Sequence, residues 1–163
     1  MRTKVIAAAL LVVLAACSSG QSQGAHSAKT SYASAPKHAV SQLPVIPLTV
    51  THAGKQHSFR VEVAGSAEEQ DKGLMFRTAM GADEGMIFPM SPPRMAAFWM
   101  KNTVIPLDII YIGPDHRILN IAVQAIPYDE TPLYSAGQVS AVLELNGGRA
   151  QQLGLGKGDV VVW

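Results

Sequence analysis

Phe98-Trp99-Met100-Lys101-Asn102-Thr103-Val104-Ile105-Pro106-Leu107-Asp108 passes without a break into Ile109-Ile110-Tyr111-Ile112. Leu107 to Ile112 is almost continuously apolar, the pattern of a strand buried on both faces. Just before it, two aromatics, an amine, an amide, a hydroxyl and a turn proline are crowded together. The segment is expected to leave one strand at Lys101, turn through Asn102 to Pro106, and enter the core at Leu107. Large apolar groups beside clustered hydrogen-bonding groups suit a pocket wall, and they suit a pinned structural corner equally well.

Outward from this stretch the pattern stays short and β-rich. Downstream, Gly113-Pro114-Asp115-His116 reads as a turn with proline at its second position. Arg117 to Ile126 reads as the partner strand, with His116 at an exposed tip. Pro127 to Gly137 is a long surface loop carrying Tyr128 and Tyr134, two aromatics that either line a pocket or face solvent. Gln138 to Asn146 is a strand, Gly147 to Gly154 a short helix, and Asp159 to Trp163 a terminal strand. Upstream, Val45 to Thr51 and Ser58 to Val63 flank Ala53-Gly54-Lys55-Gln56 as a hairpin. Ser66-Ala67-Glu68-Glu69 is a capping box that starts a short helix, ended at Gly73. Gly81 to Gly85 is a loop, Met86 to Phe88 a short strand closed by Pro89, Ser91 to Arg94 a turn, and Ala96 to Lys101 a strand. Seven or eight strands with one or two minor helices predict one mainly-β domain over 45–163, a compact sandwich or partly closed barrel.

The first residues have a different character. Met1-Arg2-Thr3-Lys4, an apolar run from Val5 to Leu14 and small residues before Cys17 make a secretory signal peptide over 1–16. The run is shorter than the roughly 20 residues of a bilayer span. Leu14-Ala15-Ala16-Cys17 resembles the lipobox of bacterial lipoproteins, which implies a lipid on Cys17 as the first mature residue; the alternative is a plain signal peptide with an unmodified cysteine. Ser18, in place of aspartate, points within that family to the periplasmic face of the outer membrane. Residues 17–44 are rich in Ser, Ala, Gly and Gln and read as a flexible tether with a reach of about 25–30 Å, in which His26 and His38 have no assigned role.

Composition narrows the chemistry. Cys17 is the only cysteine, so a lipidated chain has no disulfide, thiolate nucleophile or cysteine metal site. Losing Arg2 and Lys4 takes the formal charge from +1 to −1, which removes any argument for nucleic acid. Gly154-Leu155-Gly156-Lys157-Gly158 lacks the Ser or Thr of a phosphate-binding loop. No Gly-x-Ser-x-Gly elbow occurs, and His52, His57 and His116 lack metal-ligand spacing. No cofactor is implied, and protein partners are unspecified.

Several blocks stand in order along the chain: Gly73-Leu74-Met75-Phe76-Arg77, Gly85-Met86-Ile87-Phe88, Trp99-Met100-Lys101-Asn102-Thr103, Ile105-Pro106-Leu107-Asp108, Leu143-Glu144-Leu145 with Gly148, and Gly158-Asp159. In this the chain from about Val45 to Trp163 resembles domain-of-unknown-function family 192, also called uncharacterised protein family 0127. The resemblance implies a jelly-roll-like mainly-β domain and no particular reaction or cofactor.

Function must therefore be read from the residues. Asp108 and Glu144 interrupt apolar runs, and such acids are either solvated or buried and paired; Arg77, Lys101 and Asn102 are the natural partners. Trp99, Lys101, Asn102, Thr103, Asp108, Glu144 and Arg77 form the candidate binding set, suited to a small polar ligand or glycan. One alternative is a hydrolase or lyase using Asp108 or Glu144 with Lys101. Another is Cu(I) handling by Met75, Met80, Met86, Met90, Met95 and Met100, although methionine also fills cores. A third is a structural or protein-interaction role in the envelope. The chain leans away from catalysis and toward binding.

Overall fold

Residue 32 and residues 34–163 are described by the computed structural model; the signal peptide, Cys17 and His26 lie outside them. Nine strands and two short helices follow in the order β1 (Val45–His52), β2 (Lys55–Val63), α1 (Ala67–Lys72), β3 (Glu84–Arg94), β4 (Ala97–Phe98), β5 (Leu107–Ile112), β6 (Ile118–Ala125), β7 (Leu133–Tyr134), β8 (Val139–Asn146), α2 (Arg149–Leu153) and β9 (Val160–Val162). Seven strands form one sheet in the order β6-β5-β8-β3-β2-β1-β9, and β4 pairs with β7 alone. The mainly-β fold with two short helices is thus as the sequence predicts. The sheet curls until the start of β6 meets β9 at a single bridge, Arg117 to Val160. That bridge does not extend into a ladder, so the barrel is not closed.

Alternation along each strand sorts the side chains onto two faces. Facing inward are residues from all seven strands of the large sheet, among them Leu48, Val61, Ile87, Ile110, Leu143 and Val161. The outer face of β3, β5 and β8 carries a second cluster with Met86, Phe88, Ile109, Tyr111 and Val142, covered by Leu74 and Met100 from connecting segments. All six residues of β5 are buried, as expected of a strand packed on both faces.

Local differences from the sequence reading have physical causes. The β1–β2 ladder runs to His52–Lys55, so the turn is only Ala53-Gly54, with φ of 47° and 79°, the left-handed pair favoured in two-residue hairpins. β3 does not stop at Pro89. It continues through Pro92 and Pro93, where its register against β8 breaks between Pro89 and Arg94, the place where residues lacking an N–H are tolerated. Conversely, β4 is only Ala97–Phe98, because the Met100 N–H turns away to the Asp129 carbonyl at 2.8 Å. β2 and β3 are the parallel neighbours, so the chain between them must cross a sheet face. That crossover contains α1, whose capping box at Ser66 and Glu69 is formed as expected, and Leu74, which joins the outer cluster.

Contacts with the domain begin before Val45. Tyr32 and Ala35 pack on the inner core, Lys37 bridges Pro44, and the Val45 N–H donates to the Pro36 carbonyl. The tether reading is therefore corrected over 34–44, whose few apolar residues find a surface already built by the sheet.

Candidate functional site

Glu144 lies on β8, directly between Met86 on β3 and Ile109 on β5. All three belong to the outer face, and Glu144 is only 4% exposed. Its carboxyl forms no hydrogen bond or ion pair with any described residue. Burial alone pushes its pKa up to about 8, because the charged form has been taken from water without compensation. Tyr111, also outward-facing, donates its hydroxyl to the Leu133 carbonyl at 2.6 Å. Its own pKa is raised by burial, then by the nearby Glu144.

Glu144 opens onto a cavity of about 530 Å³. The crossover supplies one wall with Gly73, Leu74 and Met75. Phe88 and Met90 come from β3, and Phe98, Trp99, Lys101 and Thr103 from the corner segment. Phe98 meets Phe88 edge-on at 5.0 Å and Tyr111 at 6.3 Å, which fixes the wall. The Lys101 ammonium lies 5.1 Å from the Trp99 ring centroid, a cation–π distance, and Trp99 is 47% exposed at the rim.

The corner is pinned by its backbone. The Thr103 N–H donates to the Met100 carbonyl, which also accepts from Tyr128, while the Phe76 N–H reaches the Asn102 carbonyl at 2.8 Å. Asn102, Phe76 and Tyr128 all hold positive φ, between 54° and 64°. The Asn102 amide points to the Met75 sulfur at 3.8 Å, away from either acid.

Of the candidate set, the structure brings Trp99, Lys101, Thr103 and Glu144 to one cavity and leaves the others elsewhere. Asp108 is opposite Leu145 across the β5–β8 ladder and so faces inward, on the other side of the sheet from Glu144. It accepts from Gln124 N at 2.8 Å, Gly148 N at 3.0 Å and Ala150 N at 2.7 Å, tying β6 and the start of α2 to β5. The candidate set is therefore corrected: Asp108 and Glu144 share no space. Arg77 pairs with neither. It forms a two-pronged bond with Glu62 at 2.9 and 3.0 Å, and Glu62 also takes the Ser41 hydroxyl and sits 3.6 Å from the His38 ring. Glu62 escaped the sequence reading because it stands in an ordinary alternating strand, and His38 because it lies in a polar stretch. Arg77 lines a second groove, of about 960 Å³, with Phe76 and Met80.

The methionines do not share one environment. Met86, Met90 and Met100 are buried in the outer cluster, with Met90 also reaching the cavity wall beside Met75 and Met95, and Met80 lies in the second groove. Tyr128 and Tyr134 are 62% and 66% exposed and face solvent. Among the described residues no group of three His, Cys, Asp or Glu side chains is placed to hold a metal, and no helix is long and apolar enough to cross a membrane.

A curled, mainly-β sheet with a cavity over one buried acid defines the class. The family model described as "Uncharacterized ACR", domain-of-unknown-function family 192, matches residues 48–163. The chain belongs to that family. It is similar to a protein of unknown function from Novosphingobium aromaticivorans, at 56% identity over 83% of this chain and 98% of that one, with a TM-score of 0.78. It is also similar to a Sinorhizobium meliloti protein described as a "putative transcription regulator", at 36% identity over 74% and 94% of the two chains, with a TM-score of 0.72. No curated protein matches.

Proposed function

We propose that this domain is a non-catalytic binding module that takes a small polar ligand in the cavity over Glu144, with the chain held at the envelope membrane by a lipid on Cys17. The observation that carries the reading is a buried acid without a partner, aimed into a cavity. An acid held this far from water is costly to ionise, a cost that calls for a reason. A ligand that hydrogen-bonds Glu144 supplies one. The mixed lining, apolar walls with a few convergent polar groups, is that of small-molecule sites, and the volume falls within their range of roughly 300–1,000 Å³. Catalysis ranks second: an acid that keeps its proton near neutrality suits a general acid, but Asp108 lies on the opposite face of the sheet, which leaves Glu144 alone with Lys101 at the cavity.

The test uses the full chain in detergent against a panel of glycans and polar metabolites. At least one compound is expected to raise the melting temperature and change Trp99 fluorescence, and Glu144→Gln should weaken it by tenfold or more. A panel without a single such compound would remove the proposal. Membrane fractionation of Cys17→Ser checks the anchor, with release to the soluble fraction expected.

A further inference from the structure

The polar groups of the cavity are segregated by charge. The acid is at its buried end, while Lys72, Arg94 and Lys101 stand around the opening. Lys72 and Arg94 are exposed, and Lys101 is half-buried. Asp71 is the one acid beside them. None of the three cations forms an ion pair among the described residues, and the Arg94 guanidinium donates to the Gln70 amide oxygen at 3.4 Å. The apolar lining includes Leu74, Phe88, Met90 and Phe98.

We propose that the cavity takes a small molecule with an amine at one end, an acid at the other and an apolar middle, its nitrogen on Glu144 and its acid among Lys72, Arg94 and Lys101. This deepens the binding-site reading above and rests on it. A neutral sugar would satisfy Glu144 but leave the rim cations unused. A simple anion would use the rim and leave the buried carboxyl unpaired. An ammonium group supplies N–H donors and the positive charge that a buried carboxylate lacks.

The seating has a proton signature. Alone, Glu144 holds its proton to about pH 8; facing an ammonium it becomes a carboxylate, so each binding event below that pH releases one proton to solvent. The groups facing Glu144 are the Tyr111 hydroxyl from β5, with uncharged Ile109 beside it, and uncharged Met86 from β3. Around the same cavity stand Lys101 from the corner, Asp71 and Lys72 from α1, and Arg94 from β3. Asp108 is on the far side of the sheet.

The experiment is titration calorimetry of the full chain between about pH 6 and pH 8, in two buffers of different ionisation enthalpy. The probes are a series of straight-chain ω-amino acids and 4-(aminomethyl)benzoate, with benzylamine and 4-methylbenzoate as half-molecules. At least one amino acid is expected to bind tenfold or more tighter than either half, with affinity rising up to about tenfold per pH unit as protons are released. Glu144→Gln should remove the pH dependence and the proton release. Equal binding of the half-molecules, or binding without proton release, overturns the proposal. A neutral sugar that binds at the cavity while every amino acid fails overturns it too, yet leaves the binding-site reading standing. Silence from both these probes and the wider panel overturns both.

Discussion

Asp108 and Glu144 each interrupt a run of Leu, Ile and Val, yet three backbone N–H groups close on the first and none on the second. Both positions were legible in the sequence as acids in apolar surroundings. Their partners were not, because the groups that hold Asp108 come from Gln124, Gly148 and Ala150, 16 to 42 residues away. The consequence for Glu144 is a definite pH dependence. Its pKa rises from an ordinary 4.5 to about 8, so the folded chain holds a proton that the unfolded chain releases. Stability is unaffected below about pH 4, where both states are protonated. It then falls by up to about 1.4 kcal/mol per pH unit and levels off above about pH 8. Glu144→Gln does not titrate. Urea denaturation should show its stability, relative to the parent, growing by several kcal/mol, on the order of 3 or more, between about pH 4 and pH 8. A constant difference across that range would show that Glu144 is solvated or paired.

The elements were legible wherever one period dominated. The capping box fixed α1, and the unbroken apolar run fixed β5. β3 was cut short in the reading because prolines argue against a strand, yet Pro89 still pairs with Ala141, and Pro92 and Pro93 fall where β3 has slipped its register. Close approach of elements was invisible in the same way. A Cβ added to Gly85 would lie 2.5 Å from the Glu144 carbonyl oxygen and 2.8 Å from a Leu145 methyl, so β3 and β8 meet at this point only because the side chain is absent. Gly85→Ala should destabilise the domain by about 1–3 kcal/mol, read as a lower urea midpoint with unchanged slope. Unchanged stability would mean the two strands have slack.

At the scale of the molecule, the fold starts before its first strand. Ser41 bonds Glu62, and the Val63 N–H takes its partner from the Pro44 carbonyl at 2.9 Å. Leu43 packs on the outer cluster, and Tyr32 and Ala35 on the inner. Composition concealed this, since a polar strip that contributes single bonds to a finished surface looks like a linker. A chain cut at Val45 would orphan buried groups at about 1–3 kcal/mol each. Residues 45–163 should therefore be less stable in urea than residues 31–163 by at least about 2 kcal/mol; equal stability would return 34–44 to the tether. The seam between β6 and β9 bears on a different matter. Sheet edges are templates for pairing with other chains. Here three backbone bonds, from Ile118 to Asp159, Gly158 to Ile118 and Val161 to His116, turn the two outermost strands toward each other, with the His116 ring stacked on Trp163 at 4.6 Å. Each edge is blunted by the other, so a sheet too short of contacts to close is still shielded from growing by adding a neighbour's strand.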